Sequence, residues 1–160
     1  MRILKCCRST TLACGIVLAV AGGVDAAPAA DRGHAHAHPG EGPHRGTIIE
    51  LGKEDYHAEL VHDEKTDTVT IHVLDASATK AMPIPAKQLT LNVRAGGKPR
   101  QFLIKPVPQV GEPADSSSVF AVTDKELCRA LDAPGATGRL NVEIGGKVYV
   151  GKLGCHTHAH

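Results

Sequence analysis

The sequence has almost no aromatic residues: its 160 residues include two Phe, two Tyr and no Trp. A hydrophobic core must therefore be built from Val, Leu, Ile and Ala. Basic and acidic residues are nearly balanced, 18 against 17, and basic side chains are not interleaved with aromatic ones. A surface that binds nucleic acid is therefore not expected.

Several catalytic patterns are also missing. The chain contains no G-x-S-x-G, no H-E-x-x-H, no glycine-rich phosphate loop and no Cys-x-x-Cys. These motifs position nucleophiles, metal-bound bases or phosphate groups. Since none is present, the sequence predicts a protein that is not an enzyme.

No run of apolar residues reaches the length of about 20 residues that a membrane-spanning helix needs. The chain instead begins with three basic residues among its first eight, followed by a shorter apolar run over residues 12–24. Val24-Asp25-Ala26 then supplies the small-x-small pattern that a signal peptidase accepts. We predict a signal peptide over residues 1–26, export by the Sec route to the periplasm or the exterior, and no membrane span after cleavage.

Histidine is abundant, with ten residues, most of them near the two ends of the chain. Histidine is the commonest metal-ligand side chain, and side chains two apart in an extended chain point the same way. We therefore predict that the ends bind Cu, Zn or Ni ions; the alternative is a solvated, His-rich tail with weak and unselective affinity. The predicted ligands are His34, His36, His38 and His44 in a leading tract, and Cys155, His156, His158 and His160 in a trailing tract.

Between these tracts, short runs of alternating apolar residues separated by turn residues predict an all-β fold. We expect an antiparallel β-sandwich, Ig-like or similar, of seven or eight strands with one short helix that has a capping-box pattern at Thr123 and Glu126. The predicted boundaries are residues 27–43 for a disordered leader, 44–154 for the β-domain and 155–160 for a His-rich tail. The predicted strands are Thr47–Leu51, Tyr56–His62, Thr68–Leu74, Gln88–Arg94, Gln101–Lys105, Ser118–Val122, Arg139–Ile144 and Lys147–Leu153.

Two Gly-Gly dipeptides predict tight hairpin turns. The first, Gly96-Gly97, sets Leu91 opposite Phe102 and makes one face of the hairpin apolar. At the second, simple pairing sets apolar Ile144 against charged Lys147, so a β-bulge is expected there.

A third hairpin carries a weaker candidate metal site. The register that pairs Leu60 with Ile71 buries the most apolar surface, which stabilises by about 25 cal/mol per Å². The same register places Glu59 opposite His72, with His57 diagonal on the outer face, at cross-strand spacings of about 5 to 7 Å. Two imidazoles and a carboxylate suit Zn(II), Cu(II) or Ni(II). The alternative is an ordinary polar face in contact with solvent.

Cys128 and Cys155 are the cysteines that remain once the signal peptide is removed. In an oxidising compartment a disulfide between them is expected, worth about 3 kcal/mol by the chain-entropy model. Alternatively, Cys128 is a small buried apolar residue and Cys155 is a thiolate ligand that suits Cu(I) or Zn(II).

One segment, Gly42-Pro43-His44-Arg45-Gly46, leads directly into the first predicted strand. Over residues 42–75 the chain resembles the start of periplasmic adaptor subunits of heavy-metal efflux systems, where a P-H-G-G element leads into a first strand. Arg45 stands where the adaptors have the first glycine, and their long helical hairpin and lipoyl-like parts are absent. The resemblance implies an exported β-domain with a role in metal handling, and it carries over His44 as a candidate ligand.

The sequence therefore predicts an exported, non-enzymatic domain that binds transition-metal ions for buffering or delivery, with envelope or efflux proteins as candidate partners. The alternative is a structural or protein-interaction domain of the envelope whose His-rich ends are incidental.

Overall fold

The computed structural model describes residues 40–154. They lie within one compact unit, His36–His160, and the other unit, Met1–Ala35, falls outside the described residues. The elements in chain order are β1 (Thr47–Leu51), β2 (Tyr56–Asp63), β3 (Thr68–Leu74), β4 (Leu89–Ala95), β5 (Lys98–Pro106), β6 (Val119–Thr123), α1 (Lys125–Asp132), β7 (Thr137–Ile144) and β8 (Lys147–Leu153).

The eight strands form one antiparallel sheet in the order β1-β2-β3-β6-β5-β4-β7-β8. The sheet has two halves, β1-β2-β3-β6 and β5-β4-β7-β8. They join where the end of β5, at Lys105 and Pro106, pairs with β6. The sheet curls until β1 lies against β8, which makes it nearly closed and barrel-like. The prediction of an antiparallel all-β fold with eight strands and one short helix is confirmed, and the two expected layers are halves of one continuous sheet.

Aliphatic residues that alternate along the strands fill the interior of this curled sheet, because successive side chains of a strand point to opposite faces. Phe120, on β6, is fully buried among them. Other fully or nearly fully buried members of the core are Ile49, Leu51, Ala58, Val69, Ile71, Val73, Ile84, Leu89, Leu91, Val93, Ile104, Leu127, Leu140 and Val142.

The hairpin predictions are confirmed except for one. Leu91 pairs with Phe102 as expected. At the second Gly-Gly turn Ile144 pairs directly with Lys147, so the expected bulge is wrong. The two glycines there have φ of 59° and 78°, which gives a two-residue turn that continues the ladder without an extra residue. This register turns Val148 and Val150 outward, and they are 60% and 49% exposed.

Helix α1 begins one residue later than the capping-box prediction implied. Asp124, not Thr123, is the N-cap, and its carboxylate accepts hydrogen bonds from the N–H groups of Glu126 and Leu127. Thr123 remains in β6, where it pairs with Thr68. No helix within residues 40–154 is long and apolar enough to cross a membrane; α1 has only eight residues.

The start of β1 and the end of β8 lie at the same end of the sheet. Every neighbouring pair of strands is antiparallel, so β1 and β8 run in opposite directions. Gly151 of β8 lies close against β1: a Cβ on it would stand 2.3 Å from Cγ2 of Ile49 and 3.0 Å from the carbonyl oxygen of Glu50. Helix α1 follows β6 at this same end, which we call the helix end (Thr47, Leu153 and α1).

Candidate functional site

The residues before β1 fold back over the outer face of the sheet in a tight turn. Glu41 forms a bridge with Thr47, the N–H of Gly42 donates to the carbonyl of Gly46 at 2.9 Å, and the N–H of Arg45 donates back to Gly42 at 3.0 Å. We call residues 41–47 the His44 turn. Residues of the described chain therefore contact the sheet from Glu41 onward, before the predicted domain boundary at residue 44.

The His44 turn lies so close to β2 that only small residues fit at two positions. A Cβ on Gly46 would stand 2.5 Å from the carbonyl oxygen of Leu60, and one on Gly42 would stand 2.4 Å from Cδ of Glu59. Arg45 has a φ of 63°, in the left-handed region where glycine carries no steric penalty. The close approach places the turn directly over the carboxyl group of Glu59.

The Glu59 side chain is fully buried, and the His44 turn provides its hydrogen-bond donors. Its Oε1 accepts the backbone N–H groups of His44 at 2.7 Å and Gly46 at 2.8 Å. Its Oε2 lies 2.7 Å from Nδ1 of His44. A buried carboxylate is tolerated only when such donors replace its lost water, and bonds to a charged acceptor are about twice as strong as neutral ones.

These bonds determine which ring nitrogen of His44 carries a proton. Since Glu59 accepts, Nδ1 of His44 donates; in the neutral form of the ring, this leaves a lone pair on Nε2. The His44 side chain is 46% exposed while that of Glu59 is fully buried. A carboxylate behind a histidine is the arrangement that orients imidazoles bound to metal ions and raises their basicity.

His72 lies opposite Glu59, as the register predicted. Its ring stacks on that of His44, with centroids 3.7 Å apart and planes 7° from parallel. Burial lowers the pKa of His72, the neighbouring His44 lowers it further, and Glu59 opposes the shift. Imidazole lone pairs lie in the ring plane, so two stacked rings do not direct them at one ion.

The outer face of β2 is covered at His57 and Glu59 and does not contact solvent there, in contrast to the ordinary polar face that was the alternative to a metal site. Glu59 and His57 are both buried, because segments outside the hairpin cover them; Nδ1 of His57 lies 3.2 Å from the carbonyl oxygen of Asp75. The register brings His57, Glu59 and His72 to one face as predicted. No group of three or more His, Cys, Asp or Glu residues within 40–154 has the geometry to hold a metal ion.

The remaining predicted ligands, and one predicted disulfide partner, fall outside the described residues. Cys128 is buried in the core, and burial raises the pKa of its thiol, with Asp67 and Asp132 adding to the effect. Its pairing with Cys155 stays a prediction. The ligands that fall outside residues 40–154 are His34, His36, His38, Cys155, His156, His158 and His160.

The role of Glu59 as an acceptor for the His44 turn was not foreseen from the sequence. Two signals point to it in retrospect. Glu59 stands between Ala58 and Leu60 in a strand that has neighbours on both sides, and a Pro-His-x-Gly turn precedes it by thirteen to sixteen residues. A buried acid needs donors, and such a turn offers several at once.

Comparison with known proteins adds no relative: neither the protein-family models, nor the curated proteins, nor the solved structures contain a significant match. The function is therefore to be inferred from the residues and contacts of the chain itself.

Proposed function

We propose that this protein is an exported, non-enzymatic β-domain that binds transition-metal ions through its His-rich ends and buffers or delivers them. The observation that carries the proposal is the hydrogen bond from Nδ1 of His44 to the buried carboxylate of Glu59, at 2.7 Å. It leaves Nε2 of a half-exposed imidazole ready to coordinate an ion. Imidazole nitrogen is a ligand that Zn(II), Cu(II) and Ni(II) all accept.

The hydrogen bonds around Glu59 also reduce the conformational entropy that His44 loses when it binds an ion. His44 is held by its backbone N–H and by its ring, so its side chain loses less freedom when an ion arrives. The other histidines of the leading tract then need only complete the coordination shell.

The resemblance to efflux adaptors supports the same function. Their P-H-G-G element corresponds to the His44 turn, and the position of their first glycine is that of Arg45, whose φ of 63° is one that glycine adopts freely. The turn that presents His44 is therefore compatible with the adaptor pattern. Metal handling by those adaptors is the property that we extend to this chain.

Dialysis followed by elemental analysis tests the proposal. The wild-type chain, loaded with Zn(II), Cu(II) or Ni(II) in turn, is expected to retain close to stoichiometric metal. A variant with alanine at every histidine of both tracts is expected to lose it, while Thr157→Ala, a change between two tract histidines, keeps it. Weak binding without selectivity in the wild type would refute a metal-binding function.

One observation favours the alternative of a protein-interaction domain. Val148 and Val150 are exposed on β8, and Val150 lines a groove of about 430 Å³ together with Ile48, Glu50, Gly52 and Lys152. If this function is the main one, a partner co-purifies equally well with the wild type and the variant that lacks the tract histidines. Val150→Ser then weakens the association.

A further inference from the structure

The outer face of one half of the sheet, β5-β4-β7-β8, is open to solvent. Leu91, Ile104 and Leu140 of these strands are buried, so the residues on either side of them point outward, because successive side chains of a strand alternate. The outward residues are half-buried or exposed. In the other half, the His44 turn covers part of the outer face. We call the open surface the basic face, after its exposed cations Arg94, Lys105, Arg139 and Lys152.

These four cations are not neutralised by the fold. Arg139 of β7 lies directly opposite Lys152 of β8, and like charges in that position repel each other. Among residues 40–154 none of the four forms an ion pair; the lysine and arginine ion pairs there are those of Arg100 and Lys147. Glu143 is the acidic residue that shares the face. An external anion would relieve the repulsion.

The near-neutral charge of the whole chain conceals a strong separation between the two halves of the sheet. Residues 41–75, which contain β1, β2 and β3, carry nine acidic and three basic residues. Residues 88–106 and 137–153, which contain β4, β5, β7 and β8, carry seven basic residues and one acidic residue. The basic face therefore attracts anions although the protein as a whole has almost no net charge.

Exposed aliphatic side chains lie on the same half. The large hydrophobic residues that are exposed within residues 40–154 all belong to β5, the loop that follows it, or β8; they are Leu103, Val107, Val110, Val148 and Val150. Leu103, Val148 and Val150 point outward on the basic face. A dissolved polyanion would leave these side chains in water, whereas a lipid surface accepts cations and aliphatic groups together.

We propose that the basic face docks on a bilayer that contains anionic phospholipids. Its lysines and arginines contact the lipid phosphates, and its aliphatic side chains enter the boundary between headgroups and acyl chains. The protein would lie on the bilayer without crossing it. This attachment is a property beyond the proposed metal function.

The dimensions of the basic face favour a bilayer over a folded protein as its partner. The face is three strand spacings wide and six residues long, from Thr137 to Glu143 on β7, which outlines about 14 Å by 20 Å, or roughly 300 Å². A stable protein–protein interface buries about 800 Å² on each partner. Aromatic anchors typical of such interfaces are absent from this face of the described strands, because Phe102 and Tyr149 pack against the core.

Vesicle sedimentation tests the proposal. The chain without its predicted signal peptide is mixed with vesicles of phosphatidylcholine alone, or of equal parts phosphatidylcholine and phosphatidylglycerol. This form contains the whole compact unit His36–His160 and lacks the apolar run at residues 12–24, whose own affinity for lipid would obscure the result. A chelator removes metal ions, and a pH of about 8 keeps imidazoles neutral.

Three double variants are compared with the wild type. Arg139→Gln/Lys152→Gln removes two cations of the basic face, and Val148→Ser/Val150→Ser removes two of its aliphatic groups. The matched control, Lys65→Gln/Lys80→Gln, removes two exposed cations that lie in turns outside the face. Thermal unfolding verifies that each variant folds.

Docking predicts that the protein binds the anionic vesicles and not the neutral ones. Binding should be lost as salt rises from about 0.1 M to about 1 M, since the screening length falls from about 10 Å to 3 Å. Arg139→Gln/Lys152→Gln should lower the partition coefficient about tenfold or more, because each cation near an anionic bilayer contributes about fivefold. The valine variant should lower it about twofold or more, and the control should leave it unchanged.

Equal binding to both kinds of vesicle, or an equal loss in the control variant, would overturn the proposal. Retention of dextran sulfate by the wild type without binding to anionic vesicles would assign the basic face to a dissolved polyanion instead. An acidic protein that co-purifies, and that Arg139→Gln/Lys152→Gln releases while vesicles do not bind, would assign it to a protein partner. Because a chelator is present throughout, these results leave the proposed metal function untouched.

Discussion

The imidazole of His44 lies flat against that of His72, with 3.7 Å between ring centroids, and the buried carboxylate of Glu59 holds His44 in that position from behind. This arrangement connects a turn at the start of the fold to the central strands of one half of the sheet. His72 packs against one face of the His44 ring, while the His44 side chain as a whole remains 46% exposed.

Glu59→Gln is expected to destabilise the fold and weaken metal binding. The amide removes the charge that strengthens three hydrogen bonds, and its NH2 group faces Nδ1 of His44, which can accept only if the ring proton moves to Nε2; the loss is about 1 to 3 kcal/mol. Loss of the carboxylate behind His44 lowers metal affinity about 10- to 100-fold. Urea unfolding without metal and a Zn(II) titration measure the two effects. Glu50→Gln, on the exposed face of β1, is the control, and equal results for both variants would contradict this role of Glu59.

The fold is expected to lose stability on acidification because of His72. Its pKa is lowered from the ordinary value of 6.5, so the unfolded chain binds the proton more readily than the folded one. The stabilisation is present above pH 6.5 and is lost as the pH falls through the lowered pKa. The free energy of unfolding, measured from pH 8 down to about pH 5 with a chelator present, should fall less steeply for His72→Phe, which keeps a ring against His44. Identical slopes would show that another group is responsible.

Gly46→Ala is expected to disrupt the His44 turn. The added methyl group would stand 2.5 Å from the backbone oxygen of Leu60, and a backbone atom in a paired strand cannot move away easily. A loss of about 1 to 3 kcal/mol in the free energy of unfolding is expected from such overpacking. Gly40→Ala, where nothing lies within 4 Å, is the control and should be neutral. A neutral Gly46→Ala would contradict the close packing of the turn.

Arg45→Gly is expected to stabilise the protein. Arg45 adopts φ of 63°, which costs an ordinary residue about 1 kcal/mol or more relative to glycine; the greater freedom of glycine in the unfolded chain offsets part of this gain. Chemical denaturation should show a higher midpoint for Arg45→Gly. Arg94→Gly, at an ordinary strand position in β4, should show a lower one. A destabilised Arg45→Gly would mean that the arginine side chain makes a larger contribution than its backbone strain.

The thiol of Cys128 is expected to resist modification in the folded protein. It is buried and its pKa is raised, so little thiolate is present and reagents cannot reach it. With Cys155→Ser as the background, an alkylating reagent should modify Cys128 only after unfolding, as mass spectrometry can show. In the unsubstituted protein, a thiol count before and after reduction distinguishes the predicted disulfide from two free cysteines.

Period-two alternation was enough to predict the registers of the β2–β3 and β4–β5 hairpins. Leu60 faces Ile71 because that pairing buries the most apolar surface, and the position of Glu59 opposite His72 follows from it. Alternation could not predict the burial of Glu59, because the His44 turn that covers it comes from outside the hairpin. For the same reason its contact with His44 was not anticipated.

Other differences come from competition between similar local signals. Thr123 and Asp124 are both good N-cap residues, and Thr123 is used by β6 through its pairing with Thr68, which leaves the cap to Asp124. At the second glycine turn, the charge of Lys147 suggested a bulge. The exposed end of the hairpin accommodates that side chain without one, and its Nζ lies 3.9 Å from Oδ2 of Asp55.

The state of the His44 ring tests the central claim most directly. In nitrogen NMR of the imidazole, with the His44 signals assigned by their loss in His44→Phe, the metal-free protein should show the proton on Nδ1 and a bare Nε2. Addition of Zn(II) should shift the Nε2 signal and leave the Nδ1 proton in its bond to Glu59. A ring protonated on Nε2 in the metal-free protein, or an Nε2 signal that does not respond to Zn(II), would contradict the claim that His44 is an ordered metal ligand.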